Sequence, residues 1–86
     1  MLKVIFSEKF ISQFESLDPK IQKLANKKIV MFKANHRHSS LKTHKLNGVL
    51  GSYFSFSVDY QVRIVFECGK KDMVHFLKIG SHDVYR

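Results

Sequence analysis

Between Ser52 and Ile79 the chain alternates apolar and polar residues with a period of two. Phe54, Phe56 and Val58 fall on one side, and Ser55, Ser57 and Asp59 on the other. Successive side chains of a strand point to opposite faces, so this period marks a β-strand with one buried face. The alternation resumes as Val62, Ile64 and Phe66 against Gln61, Arg63, Val65 and Glu67. After the turn-like Cys68-Gly69-Lys70-Lys71-Asp72, the residues Met73, His75, Leu77 and Ile79 alternate with Val74, Phe76 and Lys78. The pattern predicts two or three adjacent antiparallel strands, apolar on one face and bearing Arg63 and Lys78 on the other.

That apolar face needs a cover, and the upstream residues supply one. Leu2 to Phe6 reads as a short strand, and Ser7 as the N-cap of a helix with Phe10, Ile11, Phe14 and Leu17 at helical spacing. Asp18-Pro19 starts a second helix: Asp caps it, and Pro takes the first position, where no N–H is needed. This helix runs to about Ala34 and buries Ile21, Leu24, Ala25, Ile29 and Phe32, leaving Lys20, Lys23 and Lys27 outside. The helix hairpin is expected to place Phe10, Phe14, Leu24 and Phe32 on Phe56, Val58, Ile64 and Leu77. Residues 35–40 are polar and loop-like, Leu41 to Leu46 reads as a short strand, and Asn47-Gly48 as a turn that Val49-Leu50-Gly51 lengthens. The predicted order is β-α-α-β-β-β. It describes an α+β domain over residues 1–86, with a small antiparallel-dominated sheet and an N-terminal helix hairpin on one face. The first strand should run parallel to a later one, inside the sheet or at its edge.

Charge narrows the partners. The chain of 86 residues carries a formal net charge of +8. No Asp or Glu occurs from Pro19 to Val58, whereas Lys20, Lys23, Lys27, Lys28, Lys33, Arg37, Lys42 and Lys45 all do. The remaining residues balance, so the whole excess lies on one segment. This asymmetry suits a polyanionic partner, either nucleic acid or an acidic protein; a lysine-rich solvated helix is the plainer alternative. The single Cys68 excludes an intramolecular disulfide and fits a reducing compartment. No apolar run is long enough to span a membrane, and the first residues turn polar too soon for a signal peptide. The expected location is the cytoplasm.

The chemistry-bearing residues sort by exclusion. No Cys-x-x-Cys or His-Glu-x-x-His spacing occurs, so neither a metal site nor any other cofactor is expected. There is no phosphate-cradling Gly-rich loop and no nucleophile elbow. His75 alternates in phase with Met73, Leu77 and Ile79 and reads as a core or rim residue. His36 and His38 flank Arg37 in a loop, facing RNA or simply solvated. His44, Asp59, Arg63, His82 and Tyr85 remain, a constellation that a small basic protein could show without any activity.

A resemblance gives them weight. His44-Lys45-Leu46-Asn47-Gly48, Gly51-Ser52-Tyr53, residues 58–66 (Val-Asp-Tyr-Gln-Val-Arg-Ile-Val-Phe) and the closing Ile79-Gly80-Ser81-His82-Asp83-Val84-Tyr85 resemble the RelE/ParE toxin superfamily. The likeness extends over nearly the whole chain and is nearest to the RelE and YafQ branches. It implies the toxin of a type II toxin–antitoxin system, a metal-independent endoribonuclease that cuts mRNA on the ribosome, at the A site, and is held by a cognate antitoxin. Arg63 falls on the strand arginine that meets the scissile phosphate, His82 on the basic residue after the last strand, and Tyr85 on the aromatic near the C-terminus. His44 and Asp59 match the histidine and aspartate of YafQ-like members, and Lys42 and Lys45 lie where RelE-like members carry strand lysines. Together with Lys20, Lys23, Lys27 and Arg37, those lysines form the expected RNA and ribosome contacts. Ser55 and Ser57 stand where YafQ-like members carry a second histidine, and no acidic residue occurs near Leu46, which leaves the general base open. Two alternatives remain: a ParE-like inhibitor of DNA gyrase without catalysis, and a degenerate toxin that only binds antitoxin.

Overall fold

The computed structural model describes residues 2–46 and 52–81. Strand β1 (Lys3–Phe6) leads into helices α1 (Glu8–Glu15) and α2 (Pro19–Ala34), and a 3-10 turn over Ser39–Leu41 follows. Strands β2 (His44–Lys45), β3 (Tyr53–Ser57), β4 (Arg63–Cys68) and β5 (Met73–Gly80) complete a five-stranded sheet of order β1-β5-β4-β3-β2. β1 is parallel to β5 and forms an edge; the other pairings are antiparallel. The α+β architecture is the expected one, with four strands after the helices where the predicted order contained three, because the alternating run after Ser52 divides into β3 and β4. The expected Leu41–Leu46 strand is not extended throughout. Its first residue, Leu41, is fully buried in the 3-10 turn, and only His44 and Lys45 pair with β3.

Local chemistry fixes both helix starts. The Ser7 hydroxyl accepts from the Phe10 N–H at 3.0 Å and donates to the Leu77 carbonyl at 2.8 Å, capping α1 and pinning it to β5. The Asp18 carboxylate accepts from the Lys20 N–H at 2.8 Å, and Pro19 occupies the first turn of α2. The Gln22 side chain donates to the Phe14 carbonyl at 2.9 Å and ties the helices together.

The core is aromatic. Phe32 of α2 stacks on Phe56 of β3 at 4.7 Å between centroids and meets Phe66 and Phe76 edge-on at 5.0 and 5.4 Å. Phe10 of α1 lies 5.7 Å from Phe76. Phe56, Val58 and Ile64 are buried as expected, and Phe14 and Leu24 pack against them while half-buried. Ile11 is 47% exposed, because it sits a third of a helical turn away from the Phe10–Phe14–Leu17 stripe. With Phe6, Ile29 and Val30 it borders an apolar groove of about 420 Å³ between the helices.

One expectation fails in β5, and the cause is a bulge. Val65 pairs with Lys78 but Phe66 pairs with Phe76, so Leu77 has no opposite number. An extra residue shifts the pleat by one and reverses the phase beyond it. Val74 and Phe76 therefore join Ile79 under the helices, whereas Leu77 lies half-exposed outside the core and Phe76 takes its place. Met73 and His75 turn to the other face, where His75 stands opposite Glu67. The Ile79 N–H beside the bulge donates to Gln13 Oε1 of α1 at 3.0 Å.

Candidate functional site

The sheet face away from the helices carries the polar phases of β3 and β4 and, on the C-terminal side of the bulge, Lys78 of β5. Cross-strand pairing aligns His44, Ser55, Val65 and Lys78 in one row and Ser57, Arg63 and Gly80 in the next. β5 thus ends at Gly80 directly opposite Arg63. His44 and Arg63 lie two strands and two residues apart, about 12 Å between Cα atoms from ordinary strand geometry.

Arg63 is half-buried and held in place. Its Nη1 donates to the Ser57 hydroxyl and, at 3.3 Å, to the Asp59 carbonyl. A guanidinium has five N–H donors in a planar fork, so these two contacts orient it without exhausting it. The β3–β4 connection behind it is closed by hydrogen bonds. The Asp59 carboxylate accepts from the Gln61 and Val62 N–H groups at 2.8 and 2.6 Å, and the Val58 N–H donates to the Val62 carbonyl at 2.8 Å. Asp59 therefore shapes the turn with its side chain and supports Arg63 with its backbone.

Arg63 lines a concavity of about 210 Å³ together with Lys28, Ser40, Lys42, Ser57, Val58, Asp59 and Tyr60. Three cations converge on one small volume, from α2, from the residue after the 3-10 turn and from β4. Lys42 adopts φ 49°, the left-handed region, where the chain turns from the 3-10 turn toward β2. Next to it lies a shallower concavity of about 440 Å³ lined by His36, Arg37, His38 and Thr43, with Lys42 in both walls. The His44 ring lies between the Lys42 carbonyl, 3.3 Å from Nδ1, and the Ser55 hydroxyl, 3.4 Å from Nε2. The tautomer with the proton on Nδ1 donates to the carbonyl and leaves Nε2 basic.

The structure thus brings Arg63, His44, Lys42 and Arg37 to one side of the molecule. Lys45 pairs with Phe54 and falls on the other face of the sheet. Lys20, Lys23 and Lys27 are exposed along α2, as expected, and line neither concavity. His82 and Tyr85 lie outside the described residues. Lys28, Ser40 and Tyr60 were not singled out from the sequence, and Ser57 was noted only for standing where YafQ-like members carry a histidine. Ser57 had a signal, since it shares the polar phase of β3 with Ser55; Lys28 was only one of seven lysines on the basic segment. Among the described residues no three His, Cys, Asp or Glu side chains gather as a metal-binding group, and no helix is long and apolar enough to cross a membrane.

No protein-family profile and no curated protein sequence matches the chain. Solved structures do match. The chain superposes on the YoeB/ParE toxin from Agrobacterium tumefaciens with TM-score 0.77 and 18% identity, covering 94% of this chain and 99% of that one. It is similar to the RelE–RelB complex from Pyrococcus horikoshii with TM-score 0.76 and 12% identity, over 93% of each chain. YafQ from Escherichia coli aligns with TM-score 0.72 and 13% identity, over 99% and 98% of the two chains. The fold is that of the RelE/ParE toxins, over 93–99% of this chain.

Proposed function

We propose that this chain is the toxin of a type II toxin–antitoxin pair and acts as a ribosome-dependent endoribonuclease on mRNA. The observation that carries the reading is the guanidinium of Arg63, braced by Ser57 and the Asp59 carbonyl, in a concavity lined also by Lys28 and Lys42. A braced fork among cations suits a phosphodiester in its dianionic, pentacoordinate state.

In the proposed reaction the 2′-OH attacks the adjacent phosphorus and loses its proton to a base. The P–O5′ bond breaks, and the 5′-oxygen takes a proton from an acid. Arg63 stabilises the charge on the phosphorane. His44, with Nε2 basic, serves one proton transfer, and His82 or Tyr85 the other. A histidine titrates near working pH and can fill either role. Asp59 acts here as a positioning residue. The antitoxin partner is inferred from the fold and from a relative solved as a RelE–RelB complex; the acid-free stretch from Pro19 to Val58 offers it a basic surface.

Mapping RNA 5′ ends in cells after induction tests the reading. New ends clustered inside coding frames are expected. DNA damage without such ends would replace the reading with gyrase inhibition, and no effect at all would leave only antitoxin binding.

A further inference from the structure

Tyr60 is 82% exposed, an aromatic ring held almost wholly in water. Its turn does not require it: the β3–β4 connection is fixed by the Asp59 carboxylate and by the Val58–Val62 backbone bond, neither of which involves the Tyr60 side chain. A hydrogen-bonded turn therefore presents an exposed aromatic at the rim of the concavity that holds Lys28, Lys42, Arg63 and Asp59, whose carboxylate is turned to the backbone N–H groups of Gln61 and Val62. An exposed ring beside converging cations is the arrangement that binds single-stranded nucleic acid, with the cations on the backbone and the ring against a base.

We propose that Tyr60 is a base-stacking platform for single-stranded RNA, and that Lys28 contacts a backbone phosphate flanking the one at Arg63. This deepens the nuclease reading and rests on the same concavity. A duplex keeps its bases stacked inside and cannot use the platform, so the site discriminates single strands from paired RNA. Because stacking is tolerant of base identity, Tyr60 contributes affinity and register more than sequence preference.

The test uses the intact protein and a short 2′-O-methyl oligonucleotide, which lacks the attacking hydroxyl and reports binding alone. Tyr60→Ala should weaken single-strand binding by about 5- to 100-fold, the range of a stacked base. Tyr60→Phe keeps the ring and should bind within about twofold of wild type if stacking is the interaction. Lys28→Gln should lower the slope of log affinity against log salt by about one, as expected for one lost phosphate contact. Duplex binding should not depend on Tyr60. The proposal is overturned if wild type does not bind the single strand, if Tyr60→Ala binds as wild type does, or if Tyr60→Phe is as weak as Tyr60→Ala. Failure of the wider reading looks different: Tyr60-dependent binding with no cleavage of an unmodified message would refute the nuclease and leave the platform standing.

Discussion

Replacing Phe76 with Ala should destabilise the domain by about 3–5 kcal/mol, the usual cost of a large aromatic removed from a packed core. Phe76 is fully buried, and its ring meets those of Phe6, Phe10, Phe32, Phe56 and Phe66, joining both helices to three strands. A small domain has only about 5–15 kcal/mol in total, so the variant should sit near its unfolding threshold. Leu77→Ala, one residue on, should cost about 1 kcal/mol, because the bulge leaves that side chain half-exposed. Equilibrium urea unfolding of the two variants measures the difference. The opposite ranking would mean that β5 pairs without the bulge and that the strict alternation of residues 73–79 was right after all.

Arg63→Ala should leave the fold intact and lower the rate of message cleavage by about 10²–10³-fold, the loss expected when one preorganised charge stabiliser is removed. The core does not depend on Arg63, whose partners Ser57 and Asp59 belong to the turn and the polar face. Arg63→Lys should recover little, since an ammonium lacks the planar fork that spans two phosphate oxygens. Single-turnover cleavage, with circular dichroism as a control for folding, gives the comparison. A fully active Arg63→Ala would move the chemistry away from this concavity.

The parts of the fold that could be read in advance depended on local rules. Ser7 and Asp18-Pro19 announce helix starts because caps act within three residues, and the alternation through Phe54–Val58 and Val62–Phe66 marks faces that need no distant information. The bulge at Leu77 was not legible, since it depends on how β5 registers against β4 and on Gln13 meeting the Ile79 N–H from α1. Leu41 misled for a related reason: its apolar character suits a strand as well as a buried 3-10 turn. At the site, the polar phase of β4 pointed to Arg63, but Lys28 converges on it only through the packing of α2. Asp59 shows the limit of residue-type reasoning. It was named for its match to the aspartate of YafQ-like members, and its observed bonds are to the turn backbone.

The most direct test of the central claim is the chemistry of the cut ends. Programmed ribosomes carrying an unmodified message are incubated with the purified protein, and the new termini are identified. Attack by the internal 2′-OH predicts a 2′,3′-cyclic phosphate on the upstream fragment and a 5′-hydroxyl on the downstream one, with both lost in Arg63→Ala. An intact message, or fragments with 3′-hydroxyl and 5′-phosphate ends, would contradict the account.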